Sequence, residues 1–270
     1  MPEATTTSTL TLRGLGITAG LDPGLARELA ARCEAAGYHS LWSNDEPGAS
    51  GLETLAHLAA AASQIELGVG VLPLDRYQPA RIAAEIERLG IDPVKLWVGI
   101  GSGQLRPQVD LLRRAVAELR EILPAETRVV VAAMRPRLCR LGGAVADGVL
   151  LNWMLPGQAA EARRWVREGA AQVRRPAPIL ASYVRVTLGS GSLQLLRDEE
   201  RRYRSIDNRH RTHFAAMDVP LGSVGVAAST GSEVRAKLAP YQSALDLPIV
   251  RVLADAGASS LYAVADAAAP

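Results

Sequence analysis

Apolar residues recur along this chain with two alternating periods. Short runs dense in Val, Ile and Leu, such as residues 67–71 (LGVGV) and 129–132 (VVVA), have the near-continuous hydrophobicity of strands buried on both faces. Longer stretches of helical period lie between them. Val109, Leu112, Val116, Leu119 and Leu123 repeat at three and four, forming one stripe of an amphipathic helix that Pro124 stops. Leu25, Leu29 and Cys33 repeat at four behind Asp22 and Pro23, a favourable pair for opening a helix. The pattern predicts strands over 12–18, 40–44, 65–71, 95–100, 128–133, 148–152, 179–187 and 249–253. Helices are predicted over 23–36, 158–173, 232–244 and 259–268, beside the one that ends before Pro124.

Eight strands alternating with helices in 270 residues predict a single parallel (β/α)8 barrel, a TIM barrel, with a doubly wound open sheet as the alternative. No Pro-rich or Gly/Ser-rich linker divides the chain, so residues 1–270 read as one domain behind a flexible stretch, 1–11. Residues 189–231 break the rhythm as an insertion between the seventh and eighth strands. Within it, 197–214 holds six arginines, four acids, His210 and His213, and reads either as a solvated helix with a loop or as a lid.

Charge and composition narrow the chemistry. Thirty basic residues against 28 acidic give a net charge of +2, and aromatic residues make up 4%, which argues against a nucleic-acid surface. No apolar run approaches the roughly 20 residues that span a bilayer, and two cysteines make no disulfide framework. The expectation is a soluble, cytoplasmic protein. A barrel places catalysis at the C-terminal strand ends. The first strand lacks the His-x-His pair of a metal-dependent hydrolase, and the four histidines have no metal-ligand spacing, so no metal is expected. Lys95 and Lys237, the two lysines, sit away from those strand ends, which excludes a Schiff-base aldolase. What remains is glycine at the mouths of the third and fourth strands: Gly68, Gly70, Gly99, Gly101 and Gly103, where backbone can approach a flat ligand closely.

At these positions the chain resembles the bacterial luciferase-like superfamily of flavin-dependent monooxygenases and deazaflavin (coenzyme F420)-dependent oxidoreductases. The resemblance rests on residues 31–42 (ARCEAAGYHSLW), 55–71 with the 67–71 strand (LGVGV), 77–80 (YQPA), 96–103 (LWVGIGSG) and 131–153 (VAAMRPRLCRLGGAVADGVLLNW). Residues 245–253 (LDLPIVRVL) resemble the tail of the deazaflavin-dependent members. The resemblance implies a flavin-type ring over a non-proline cis peptide at Gly70-Val71 and against Gly101, Ser102 and Gly103. It further implies a phosphate cradle at Ala133, Met134 and Arg135, completed by Asn152 and Trp153. The cofactor implied is coenzyme F420, with FMN as the alternative, and the partners are a small-molecule substrate and a second copy in a homodimer. In the deazaflavin-dependent dehydrogenases the second strand ends in Ser-Asp-His, whereas here it reads Asn44-Asp45-Glu46. With that His absent, Glu46, Asp45 and Tyr77 are the candidate proton-transfer residues of a hydride-transferring oxidoreductase. The other readings are an FMN-dependent monooxygenase and a non-catalytic flavin-binding or partner-subunit barrel.

Overall fold

The computed structural model describes residues 12–254 and 257–270; the stretch 1–11 read above as flexible lies outside the described residues. Eight parallel strands close a barrel: β1 (Gly14–Ile17), β2 (Ser40–Ser43), β3 (Glu66–Pro73), β4 (Leu96–Gly101), β5 (Arg128–Ala132), β6 (Gly148–Asn152), β7 (Ile179–Leu188) and β9 (Leu247–Val252). Consecutive strands pair around the ring, β7 pairs with β9, and β9 returns to β1. Six helices follow the first six strands: α1 (Pro23–Ala35), α2 (Gly51–Ala59), α3 (Pro79–Arg88), α4 (Gln108–Ile122), α5 (Pro136–Val145) and α6 (Pro156–Gln172). The barrel predicted from the hydrophobic pattern is thus the one observed.

The predicted count of strands needs one correction. A short strand, β8 (Val226–Ala228), runs parallel to β7 and pairs with Val186–Leu188, outside the closed ring. It lies inside the 189–231 insertion, which also folds into α7 (Ser192–Ile206) and α8 (Asn208–Ala215), before α9 (Gly231–Ala244) and α10 (Ala258–Ala267) complete the chain. Both insertion helices are anchored by burial. Glu200 on α7 is fully buried, pairs with Arg204 at 2.5 Å and accepts from the Gly222 amide at 2.8 Å. Leu196, Phe214, Met217 and Val224 pack with Trp153 into a small satellite core at the barrel mouth.

The barrel axis is filled rather than hollow. Trp42, Trp97, Leu150, Tyr183 and Ile249 meet in its interior, where burying each large apolar side chain contributes roughly 1.5–3 kcal/mol. At the floor, formed by the N-terminal strand ends, the Glu66 carboxylate accepts from Trp97 Nε1 at 2.6 Å and pairs with Arg128 at 2.8 Å and His39 at 3.2 Å. Burial opposes the charge on Glu66, but those three partners outweigh it and hold its pKa down to about 2. The other end of the axis carries Arg185 on β7 and Arg251 on β9, register neighbours that are 3% and 6% exposed.

Candidate active site

A cavity of about 860 Å³ opens at the C-terminal ends of β4, β5 and β6, within the roughly 300–1,000 Å³ usual for small-molecule sites. One wall is backbone and small side chains: Val71, Gly101, Ser102 and Gly103 on one side, Ala133 and Met134 on the other. The β4–α4 loop of this wall is held by Asp75, whose carboxylate accepts from the Gln104 amide at 2.7 Å. Gly103 makes that approach possible: its φ is +55°, and a Cβ there would sit 2.2 Å from the Asp75 carboxylate.

Two helices point their N-termini into this cavity. Pro107 and Arg135 occupy the N-cap positions of α4 and α5, and neither offers a side-chain acceptor to the first-turn amides. Those donors and the positive ends of both helix dipoles favour an anion. The lining charges agree: Arg106, Arg135, Arg137 and Arg209 face the cavity with His210, and no carboxylate lines it among the described residues. The donor set and shape therefore fit a flat, phosphorylated group.

Eight of the ten predicted cofactor residues share this wall: Val71, Gly101, Ser102, Gly103, Ala133, Met134, Arg135 and Asn152. The Gly70–Val71 peptide is cis, as the resemblance implied, and the register of β3 against β4 shifts between Val69 and Leu72. Gly70 itself does not face the cavity. A Cβ on it would lie 2.6 Å from Leu150 and from the Tyr183 hydroxyl, so its hydrogen is needed for packing inside the barrel, and Val71 supplies the surface instead. Trp153 is also off the wall, 1% exposed with φ +54°. An aromatic residue in that left-handed region is strained and needs strong packing to hold it. Arg185 stacks on its ring at 3.9 Å and Phe214 lies at 5.2 Å, which turns the indole away from the cavity into the satellite core.

The three predicted proton-transfer residues lie outside the cavity lining. Asp45 has a fully buried side chain, accepts from the Gly51 amide and the Tyr77 hydroxyl at 3.0 Å each, and pairs with Arg76 at 2.8 Å. It ties β2 to the start of α2 and to the segment after β3. Burial and the Asp45 charge push the Tyr77 phenol above its ordinary pKa, which makes it a poorer donor. Glu46 accepts from Asn44 Nδ2 at 2.7 Å.

Two features were not among the predicted site residues. The first is on α8, within the 197–214 segment read either as a solvated helix or as a lid: Arg209, His210 and Thr212 line the cavity, and Arg209 reaches across to Gln104 on the β4–α4 loop at 3.2 Å. Its polar composition looks solvated, and nothing in its periodicity marks the covering face. The second is the arginine pair on the axis. Arg185 donates to Asn152 Oδ1, and Arg251 to Thr18 Oγ1 at 2.7 Å, so their direct side-chain acceptors are neutral. Glu199 on α7 lies near both but is held by Arg202 at 2.8 and 2.9 Å. A signal for this pair existed: in residues 183–186 (YVRV) and 249–252 (IVRV), an Arg interrupts an apolar strand on the face shared with Tyr183 and Ile249.

The model of the luciferase-like monooxygenase family matches residues 6–123. No curated protein matches the chain. Among solved structures, an F420-dependent secondary alcohol dehydrogenase in complex with an F420-acetone adduct is 16% identical, with 89% of this chain and 93% of that one covered at a TM-score of 0.73. The coenzyme F420-dependent tetrahydromethanopterin reductase of Methanopyrus kandleri is 15% identical over 89% and 92%, at 0.65. The oxygenating constituent of 3,6-diketocamphane monooxygenase of Pseudomonas putida, a type II Baeyer–Villiger monooxygenase in complex with FMN, is 12% identical over 96% of both chains, at 0.66. The family match thus spans residues 6–123, and over the whole chain these solved structures show a shared barrel fold.

Proposed function

We propose that this protein is a coenzyme F420-dependent oxidoreductase that transfers a hydride between the deazaflavin and a small organic substrate. The observation that carries the reading is the cavity: four arginines with no carboxylate among the described lining residues, and two helix N-termini without side-chain caps, converge beside a wall rich in small residues. That combination suits an anionic, planar group whose phosphate rests near Ala133–Arg135 and whose ring lies toward Val71 and Gly101. When bound, such a cofactor supplies the hydride chemistry. The protein's own residues orient the ring, exclude water beneath α8 and neutralise the phosphate. The dehydrogenase with the F420-acetone adduct, at the highest TM-score of the three structures described, supports the deazaflavin over FMN. The second reading, an FMN-dependent monooxygenase, draws its support from the monooxygenase covered over 96% of both chains.

Titration with oxidised F420 and with FMN separates the two. Quenching of tryptophan fluorescence reports the binding of either cofactor. Deazaflavin binding tighter than FMN, followed by turnover of acetone, 1-pyrroline or 2-cyclohexenone with reduced F420, is the expected result. FMN binding with oxygen uptake supports the second reading, and binding of neither cofactor overturns both. Pairing of two copies in a cytoplasmic homodimer belongs to the same proposal, with sedimentation velocity as its check on the oligomeric state. No helix among the described residues is long and apolar enough to cross a membrane.

A further inference from the structure

The oxidoreductase reading leaves a gap at the proton. Hydride transfer to a C=O, C=N or activated C=C bond places negative charge on the acceptor, and a proton must follow; in the reverse direction a hydroxyl proton must leave. Asp45, Glu46 and Tyr77 do not line the cavity. Among the described residues that do, His210 supplies the imidazole, and the other ionisable side chains of the lining are arginines.

His210 is also oriented for the task. It stands in the first turn of α8, and its Nδ1 lies 2.9 Å from Oδ1 of Asp207, the N-cap residue of that helix. The same carboxylate accepts from the His210 amide at 2.8 Å, so the acid that starts the helix also fixes the ring. Burial disfavours the charged form of Asp207, but the amide, the imidazole and Arg209 outweigh it and keep its pKa below the ordinary value. An ionised Asp207 accepts from Nδ1–H and leaves Nε2 as the exchangeable nitrogen. The Tyr203 ring, from α7, meets the imidazole edge-on at 5.5 Å. The other charged or titratable neighbours are Arg209, which pairs with Asp207 at 3.3 Å, and His213 on the next turn. Burial lowers the pKa of His213, and its Nε2 is committed to the Trp153 carbonyl at 2.7 Å.

We propose that His210, oriented by Asp207, is the proton donor and acceptor of this site, in place of the histidine that the end of the second strand lacks. The inference rests on the reading under Proposed function. As a hydride supplied by reduced deazaflavin forms the new C–H bond, the acceptor's heteroatom, or the carbon of an activated alkene, takes the proton from Nε2. Neutral imidazole remains and regains its proton from water. For alcohol oxidation Nε2 takes the hydroxyl proton as the hydride leaves the carbon. Asp207 is a positioning residue.

The test uses the full chain and the variants His210→Gln and Asp207→Asn, the latter retaining a good N-cap. Without cofactor, two-bond 15N–1H spectra of the wild type should show His210 as the Nδ1–H tautomer, and Asp207→Asn should lose that signature. Diethylpyrocarbonate should modify His210 and F420 should protect it. His210→Gln should bind F420 within about threefold of wild type and lose roughly 10²–10⁴-fold in turnover of whichever acceptor the wild type reduces, with the pH dependence of kcat/KM flattened. Asp207→Asn should lose about tenfold. An Nε2–H tautomer, labelling unaffected by F420, lost F420 affinity in His210→Gln or unchanged turnover in that variant each overturns the assignment while leaving the oxidoreductase reading intact. A wild type that binds neither cofactor, or binds one and reduces no acceptor, fails that reading and takes this inference with it.

Discussion

The two ends of the barrel axis use charge in opposite ways. At the floor, one carboxylate, Glu66, is matched by Arg128, His39 and the Trp97 indole, and the cluster closes that end. At the mouth, Arg185 and Arg251 donate to neutral Asn152 and Thr18, and four more arginines line the cavity without an acid among the described residues. Balanced charges in a packed setting hold elements together, whereas a surplus of one sign produces a field that only a ligand completes. The floor should therefore govern stability and the mouth should govern affinity, with little exchange between them.

The largest effect is expected at the mouth. Arg135→Glu removes a charge-assisted donor beside the α5 N-terminus and adds repulsion, so F420 affinity should fall about a hundredfold. Arg135 caps α5 without a side-chain hydrogen bond and faces the cavity, so the urea midpoint should stay close to wild type. Affinity should also weaken with added salt, as an exposed arginine rim requires. Unchanged binding in this variant would move the anion site elsewhere.

A smaller effect, of the other kind, belongs to the floor. Glu66→Gln should reduce unfolding free energy by about 2 kcal/mol at pH 7 and leave F420 affinity unchanged. The sign follows from the depressed pKa: the stabilisation is fully present above the unfolded value near 4.5 and is lost as pH falls through about 2. Urea denaturation of both proteins at pH 7 and pH 3 should thus give curves that converge toward the acid side. A deficit independent of pH would mean that the substitution disturbs packing rather than charge.

The same contrast explains what was legible in the amino-acid sequence. The closed strands were readable because both their faces are buried, which leaves uninterrupted apolar runs such as 129–133. β8 was not, since Val226–Ala228 is three residues of local pairing with β7 beside Gly222 and Gly225. The small-residue wall of the cavity stood out through its glycines and its family resemblance. His210 did not: its partner Asp207 is local, but the cavity it faces is built from β4, β5 and β6, remote in sequence. Side chains that act through tertiary approach leave no period in the chain.

The smallest expected effect bears on Tyr77, a residue chosen from the sequence for proton transfer. Its hydroxyl donates to Asp45 at 3.0 Å, in a cluster that also receives the Gly51 amide and Arg76. This small balanced arrangement resembles the floor, although it lies beside the end of β2. If pairing means cohesion wherever it occurs, Tyr77→Phe removes one hydrogen bond from a carboxylate that keeps its other partners. It should then cost about 1 kcal/mol of stability and leave kcat within about twofold of wild type. A hundredfold fall in kcat with F420 affinity unchanged would instead restore Tyr77 as the donor. The division between a cohesive and a recognising end would then be too sharp, because a paired group would be carrying chemistry.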